Sequence, residues 1–339
     1  MTLRSVLDMI PLATGQDVPG ALDDSKAFVA AADRLGYHRY WVAEHHNTEA
    51  IVSTSPPVAL AWLGAGTERI RLGSGGVMLP NHAPFVVAEQ FALLEGMFPD
   101  RVDLGLGRAP GTDPITAAAL RRDPSHQAVH EYPQHVLEIL GLLGDVREGH
   151  HDPETLRRLR AAAEVAHLPE VWLLGSSLYS AELAGVLGLR YAYANHFGMA
   201  GDPAAAFDVY RREFRPSPTV AEPWTLVSAS VLVADSYAEA QRLDVVARVQ
   251  RYQLMSNRLG RVVSPEEAAR IAEQAGGTEL WQRARGHQHV GERDVVEAGL
   301  AALVDRTGAD ELMLATTAHS LDVRLRTLEA LAPGAAAAG

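Results

Sequence analysis

Residues 70–108 read IRLGSGGVMLPNHAPFVVAEQFALLEGMFPDRVDLGLGR. An apolar run over 70–78 gives way to proline and then to a helical segment over 85–97. A second apolar run over 101–106 follows and ends in glycine. This is a strand, a helix and a strand, and the short unbroken apolar runs suit strands buried on both faces of a parallel sheet. The same rhythm extends in both directions. Strands are predicted over 3–10, 40–43, 170–174, 190–194, 225–233 and 311–316. Helices are predicted over 22–35, 55–66, 132–143, 180–187, 203–214, 237–250 and 321–331. Eight strands in alternation with helices predict an α/β fold, a single (β/α)8 TIM barrel. A nine-unit open sheet would read similarly.

Two stretches interrupt the rhythm, 108–131 after the fourth strand and 251–298 after the seventh. The second carries a capping pattern at Ser264 and Glu267 and is expected to be a mobile lid over the mouth. The barrel is assigned to 1–333, and the tail 334–339 is expected to be disordered. The chain has 339 residues, 30 basic against 42 acidic, a net charge of -12 and no cysteine. That balance lacks the basic footprint of a nucleic-acid or anionic-lipid binder. The missing thiols exclude disulfides, thiolate metal sites and a cysteine nucleophile. No run reaches the roughly 18 apolar residues of a membrane span. The N-terminus reads as a first strand and not a leader, so a cytoplasmic location is expected.

In a (β/α)8 barrel the chemistry sits where the strands end. Those ends are Asp8, Glu44 to Asn47, Ser74 to Gly76, Gly107-Arg108, Gly175 to Ser177, Asn195-His196, Ser228 to Ser230 and Thr316-Thr317. Along an extended segment neighbours point opposite ways, so at most one of His45 and His46 lines a given pocket. Three readings of Glu44-His45-His46 stand: a metal site with Glu49, a histidine packed in a polar core, or an acid/base group in a cofactor pocket. Gly75-Gly76 is either a plain bulge or bare backbone against a flat ring. Arg108 with the serines at 176 and 177 makes a phosphate cradle at a helix N-terminus, or those serines simply cap the helix.

Taken together, YWVAEHH (40–46), RLGSGGVMLPNH (71–82), AEQFALL (88–94), FPDRVDLGLGR (98–108), LLGSS (173–177) and TGADEL (307–312) closely resemble the bacterial luciferase-like flavin monooxygenases. The resemblance spans almost the whole chain and is tightest in the first 110 residues. It implies a barrel that binds reduced FMN and uses O2, through a C4a-peroxyflavin, to oxygenate a small organic substrate. A secondary metabolite such as an aromatic polyketide is one candidate. His45 matches the family's catalytic histidine. Gly75-Gly76 matches a cis peptide under the flavin ring, and Arg108 and Ser176 match the phosphate-binding pair. Glu44, Ser74 and Ser177 are carried as further cofactor contacts, and no metal is expected. Gly107 stands where light-emitting luciferase has a reactive cysteine, Gly175 where an acidic residue precedes the serine, and 178–180 differ as well. The chain therefore resembles the broad oxidoreductase branch more than true luciferase. No nicotinamide fingerprint is present, which implies a separate NAD(P)H:flavin reductase. The family also implies a homodimer through the helices after strands two and three. Two alternatives are kept: an F420-dependent oxidoreductase on the same barrel, and a non-catalytic flavin-binding subunit.

Overall fold

The structure is a computed structural model that describes residues 2–109, 112–120, 130–147, 152–161, 167–198, 201–256 and 258–334. The expected tail beyond 334 and much of the 108–131 stretch lie outside the described residues. Eight parallel strands close into a barrel: β1 (Leu3–Asp8), β2 (Arg39–Val42), β3 (Arg71–Ser74), β5 (Val102–Gly107), β6 (Glu170–Gly175), β7 (Arg190–Tyr193), β8 (Thr225–Val233) and β10 (Glu311–Ala315). β8 pairs with β10 and β10 with β1, so the ring has no open edge. This removes the open-sheet reading. The third strand, expected unbroken over 70–78, is interrupted at Gly75-Gly76. It resumes as the two-residue β4 (Val77–Met78), which pairs with the end of β5.

Alternation along the strands sorts the core into two parts. Val6, Tyr40, Val42, Leu72, Leu104 and Leu106 face outward and pack with the helices in the main apolar cluster. Leu7, Trp41, Trp172, Ala192, Leu226 and Met313 face inward and form their own cluster inside the barrel. Trp41 and Trp172 fill its middle edge to face, 5.3 Å between centroids. A β-carbon at position 73 would lie 2.6 Å from the Trp41 ring, so glycine is required there.

Below the tryptophans, at the strand starts, lies a buried ionic floor. Arg39 donates from Nη1 to Asp103 Oδ2 and from Nε to Glu311 Oε1, each at 2.8 Å. Arg71 Nε donates to Asp103 Oδ1 at 2.9 Å, and Trp41 Nε1 donates to Asp103 Oδ2 at 2.9 Å. Burial pushes the Asp103 carboxyl up, but Arg39, Arg71 and these hydrogen bonds outweigh it and hold it ionised below the usual range. The floor closes the barrel at that end, so the opposite rim is where a ligand enters.

After β8 the helix Tyr237–Met255 runs longer than its expected end at 250. The Ser264 cap is present, its hydroxyl accepting from Glu267 N–H at 3.2 Å and opening the helix Pro265–Ala275. That helix packs through Ala268 and Ala275, with Val262 and Val263 before it and Trp281 after it, in one cluster with Val246 and Val249. The excursion ends earlier than expected. Residues His289–Gly291 form β9 beside β8, and the helix Arg293–Thr307 begins before 298. Among the described residues no helix is long and apolar enough to cross a membrane.

Candidate active site

At the rim, the ends of β2, β3, β5, β6 and β7 surround a pocket of about 310 Å³. His45, Gly75, Gly76, Arg108, Ser176 and Ser177 all line it, so six of the eight residues singled out from the sequence are brought together. Strand alternation explains the choice between the histidines. Arg39, Trp41, Ala43 and His45 share the inner face, while His46 turns away. His45 is fixed by its backbone N–H, which donates to Ser53 O at 3.0 Å. The Gly75–Gly76 peptide bond is cis. Gly75 N–H donates to Val42 O at 2.8 Å, tying this segment to the end of β2.

Glu44 and Ser74 fall on the outer face and stand behind the pocket wall. Ser74 Oγ donates to Gly105 O at 2.9 Å and accepts from Gly105 N–H at 3.0 Å, bridging β3 and β5 where the ladder breaks. Glu44 Oε1 accepts from His46 Nε2 and His82 Nε2, both at 2.8 Å, and Oε2 accepts from Met78 N–H at 3.1 Å. Burial raises the Glu44 carboxyl, but the two imidazoles and this amide hold it below its ordinary value. Glu44, His46 and His82 have ligand atoms within 4.8 Å of one another and could hold a divalent ion. The third group is His82, and Glu49 takes no part. Asp8 likewise points outward, between strand and helices. It accepts from Ser25 Oγ, Tyr40 Oη and Arg324 Nη2, so it is no part of the mouth.

The far end of the pocket is suited to an anion. Ser177 caps the helix Leu178–Val186, with Ser180 completing a capping box. The Arg108 guanidinium lies 4.3 Å from the Tyr179 ring centroid across from that helix start. The capping reading of Ser177 is observed, and it is compatible with an anion site, since a capped helix N-terminus still presents first-turn N–H groups. The near wall is bare backbone. A β-carbon at Gly76 would lie 2.8 Å from Gly105 O, one at Gly107 3.2 Å from Met78 Sδ, and one at Gly175 would strike Ser180. The rest includes Met9, Ala43, Met78, Leu174, Ala194 and Phe197. Donors at one end and a flat apolar floor fit a planar ring system carrying a phosphate, so the residues present fit FMN.

One further residue of the site stood in the list of strand ends but was not singled out. His196 lines the pocket from the end of β7. Its Nδ1 is 2.7 Å from Ser228 Oγ, which also accepts from Asn195 N–H at 2.9 Å and His196 N–H at 3.2 Å. The Ser228 hydroxyl has two acceptors in reach, Tyr193 O at 3.2 Å and His196 Nδ1, while the ring's other nitrogen, Nε2, is out of solvent and without a partner. Burial, with Arg251 and His45 nearby, lowers the His196 pKa to about 3, so the ring is neutral.

The chain is similar to known proteins in sequence and in fold. The family model described as luciferase-like monooxygenase matches residues 5–311. A protein of Escherichia coli K12 named luciferase-like monooxygenase is 38% identical over 330 residues, covering 96% of this chain and 94% of that one. The N-acetyl-S-alkylcysteine monooxygenase of Bacillus subtilis is 32% identical over 268 residues, 79% of this chain and 78% of that one. The crystal structure of apo-MsnO8 superposes with a TM-score of 0.86 at 32% identity, covering 98% of each chain. On fold, rim residues and sequence alike, the chain belongs to the luciferase-like monooxygenase family.

Proposed function

We propose that this chain is a flavin-dependent monooxygenase that takes reduced FMN from a separate NAD(P)H:flavin reductase and inserts one atom of O2 into a small organic substrate. The observation that carries this is the single pocket joining His45, the bare Gly75-Gly76 backbone and the Arg108, Ser176 and Ser177 cradle. Bound reduced FMN supplies two electrons to O2, so that one oxygen atom enters the substrate and the other leaves as water. The protein's share is positional. Arg108, the two serines and the helix start hold the phosphate. The glycine backbone lets the ring lie flat. The His45 imidazole stands between the ring's place and the adjoining cavity, where it can pass a proton to or from the reacting oxygen. Residues 251–298 supply one wall of that cavity, and their closure would exclude water during oxygen transfer.

We infer a homodimer as well. Val58 and Trp62 on the helix Pro56–Gly64 are exposed, as are Val86, Leu93 and Met97 on Pro84–Met97. An apolar patch shared by neighbouring helices suits a twofold interface.

The test is to photoreduce FMN under argon with the protein, mix with aerated buffer, and follow flavin reoxidation by stopped flow. Reoxidation on a time course distinct from free reduced FMN is expected. Identical time courses, together with hydride transfer from reduced F420, would replace FMN by the deazaflavin.

A further inference from the structure

The flavin pocket does not end at His45. A second cavity of about 170 Å³ shares Met9, His45, His196 and Phe197 with it. Its other walls are largely apolar, with Pro11, Ile51, Leu254, Leu259 and Val262. On one side it meets a cleft holding three arginines, Arg251, Arg283 and Arg285, and no carboxylate is among the residues that line that cleft.

Arg251 is the unusual member. Three other arginines drawn in from solvent face acids: Arg4 faces Glu297, Arg39 faces Asp103 and Glu311, and Arg324 faces Asp8. Arg248, on the same helix as Arg251, instead donates to the carbonyls of Ala284 and Trp281. Arg251 donates from Nη2 to His196 O at 3.4 Å, while Nη1 is out of solvent with no partner. Among the described residues none of the three cleft arginines lies within 4 Å of a carboxylate. Burial lowers the Arg251 pKa, with no acid to offset it. A half-buried guanidinium whose spare N–H group is out of solvent is the geometry that an incoming anion completes. The partnerless Nε2 of His196 stands at the same junction.

We propose that the substrate is an amphipathic organic acid. Its carboxylate sits in the cleft on Arg251, with Arg283 and Arg285 around it. Its apolar body fills the cavity and points the group to be oxygenated at His45. This rests on the flavin reading for the reaction, but not for the binding.

The probes are octanoate and its neutral counterpart octanamide, titrated calorimetrically into the protein with and without oxidised FMN. A charge-assisted guanidinium–carboxylate contact predicts octanoate binding at least about tenfold tighter than the amide. Arg251→Met brings octanoate down to the amide's affinity, and Arg251→Lys restores part of the difference. Equal affinity of acid and amide for the unaltered protein overturns the proposal. So does a preference that survives Arg251→Met, or inorganic phosphate that displaces octanoate with higher affinity than octanoate itself shows. The comparison on the unaltered protein decides even where the Met variant does not fold. A chain that prefers the acid through Arg251 yet never binds FMN would keep this inference and lose the flavin reading. FMN binding with no preference for the acid would do the reverse.

Discussion

Arg108→Ala should separate the phosphate from the ring in flavin binding. Among the residues that line the pocket, Arg108 is the one with a permanent positive charge; Ser176, Ser177 and Ser180 offer neutral hydroxyls. Removing it deletes a charge-assisted contact but leaves those hydroxyls and the start of Leu178–Val186 in place. Hydrogen bonds to charged groups are worth about 1.5–3 kcal/mol. Arg108 is half-exposed, so the lower part of that range applies, about 1.5–2 kcal/mol or about 10–30-fold in Kd. Riboflavin carries the same ring without the phosphate, so its Kd should move by no more than about twofold. The assay is quenching of flavin fluorescence by titrated protein, with each flavin and each variant. The ratio of riboflavin to FMN dissociation constants should fall by the full factor. Equal weakening of both flavins would place Arg108 on the ring, and an unchanged FMN Kd would move the phosphate elsewhere. Either result refutes the cradle.

His45→Ala should abolish oxygenated product while leaving the FMN Kd within about threefold, since the proton-handling group is lost but the cradle is not; undiminished turnover assigns the proton to another residue. Arg39→Met should lower unfolding free energy by about 3–5 kcal/mol in a denaturant titration, because Glu311 loses the one cation within 4 Å of it among the described residues; a loss below about 1 kcal/mol would show that the floor is not energetically coupled. Asp8→Asn should cost about as much by stranding Arg324. Burial raises the Asp8 carboxyl, but Arg324, Tyr40 and Ser25 bring it below its ordinary value. The stability it confers is then complete above the unfolded value of about 3.9 and disappears as pH falls through the lower folded one. The gap between variant and parent should therefore hold from neutral pH down to about 4 and close below it; a gap that closes near neutrality contradicts the pairing. Leu93→Arg should shift sedimentation from dimer to monomer, and an unchanged coefficient would move the interface off these helices.

The barrel was legible because each strand is a short apolar run buried on both faces, and such runs survive any detail of loop structure. The reading failed where that signal is weakest. β9 has three residues, too few to show alternation. The helix Arg293–Thr307 does carry a clear pattern, with Val296, Leu300 and Leu303 buried at helical spacing. Its start is masked in the sequence by the long polar stretch that precedes it. The break of the third strand is different. Gly75-Gly76 could mean a bulge or a ring-binding surface, and only the pairing of Val77 with Leu106 beyond it shows that the strand resumes on a new line.

At the rim, a parity count along each strand separates the residues that act from those that support. Counting by twos from Arg39 gives Trp41, Ala43 and His45 inside and leaves Glu44 out; counting from Ser5 gives Leu7 and leaves Asp8 out. The same parity that separates the two histidines places Glu44, Ser74 and Asp8 on the outer face. What no count along a strand supplies is the other half of the site. Arg251 stands on a helix that outruns its expected end, and Arg285 comes from the excursion beyond it. Their approach to His196 depends on the packing of Trp281 and Val262 against Val246 and Val249, a tertiary event with no local signature. Glu44 shows why the outward position still matters. By accepting from His46, His82 and the Met78 amide, it fastens the end of β2 to the end of β4, and so holds His45 and the Gly75-Gly76 backbone on the same wall of the pocket.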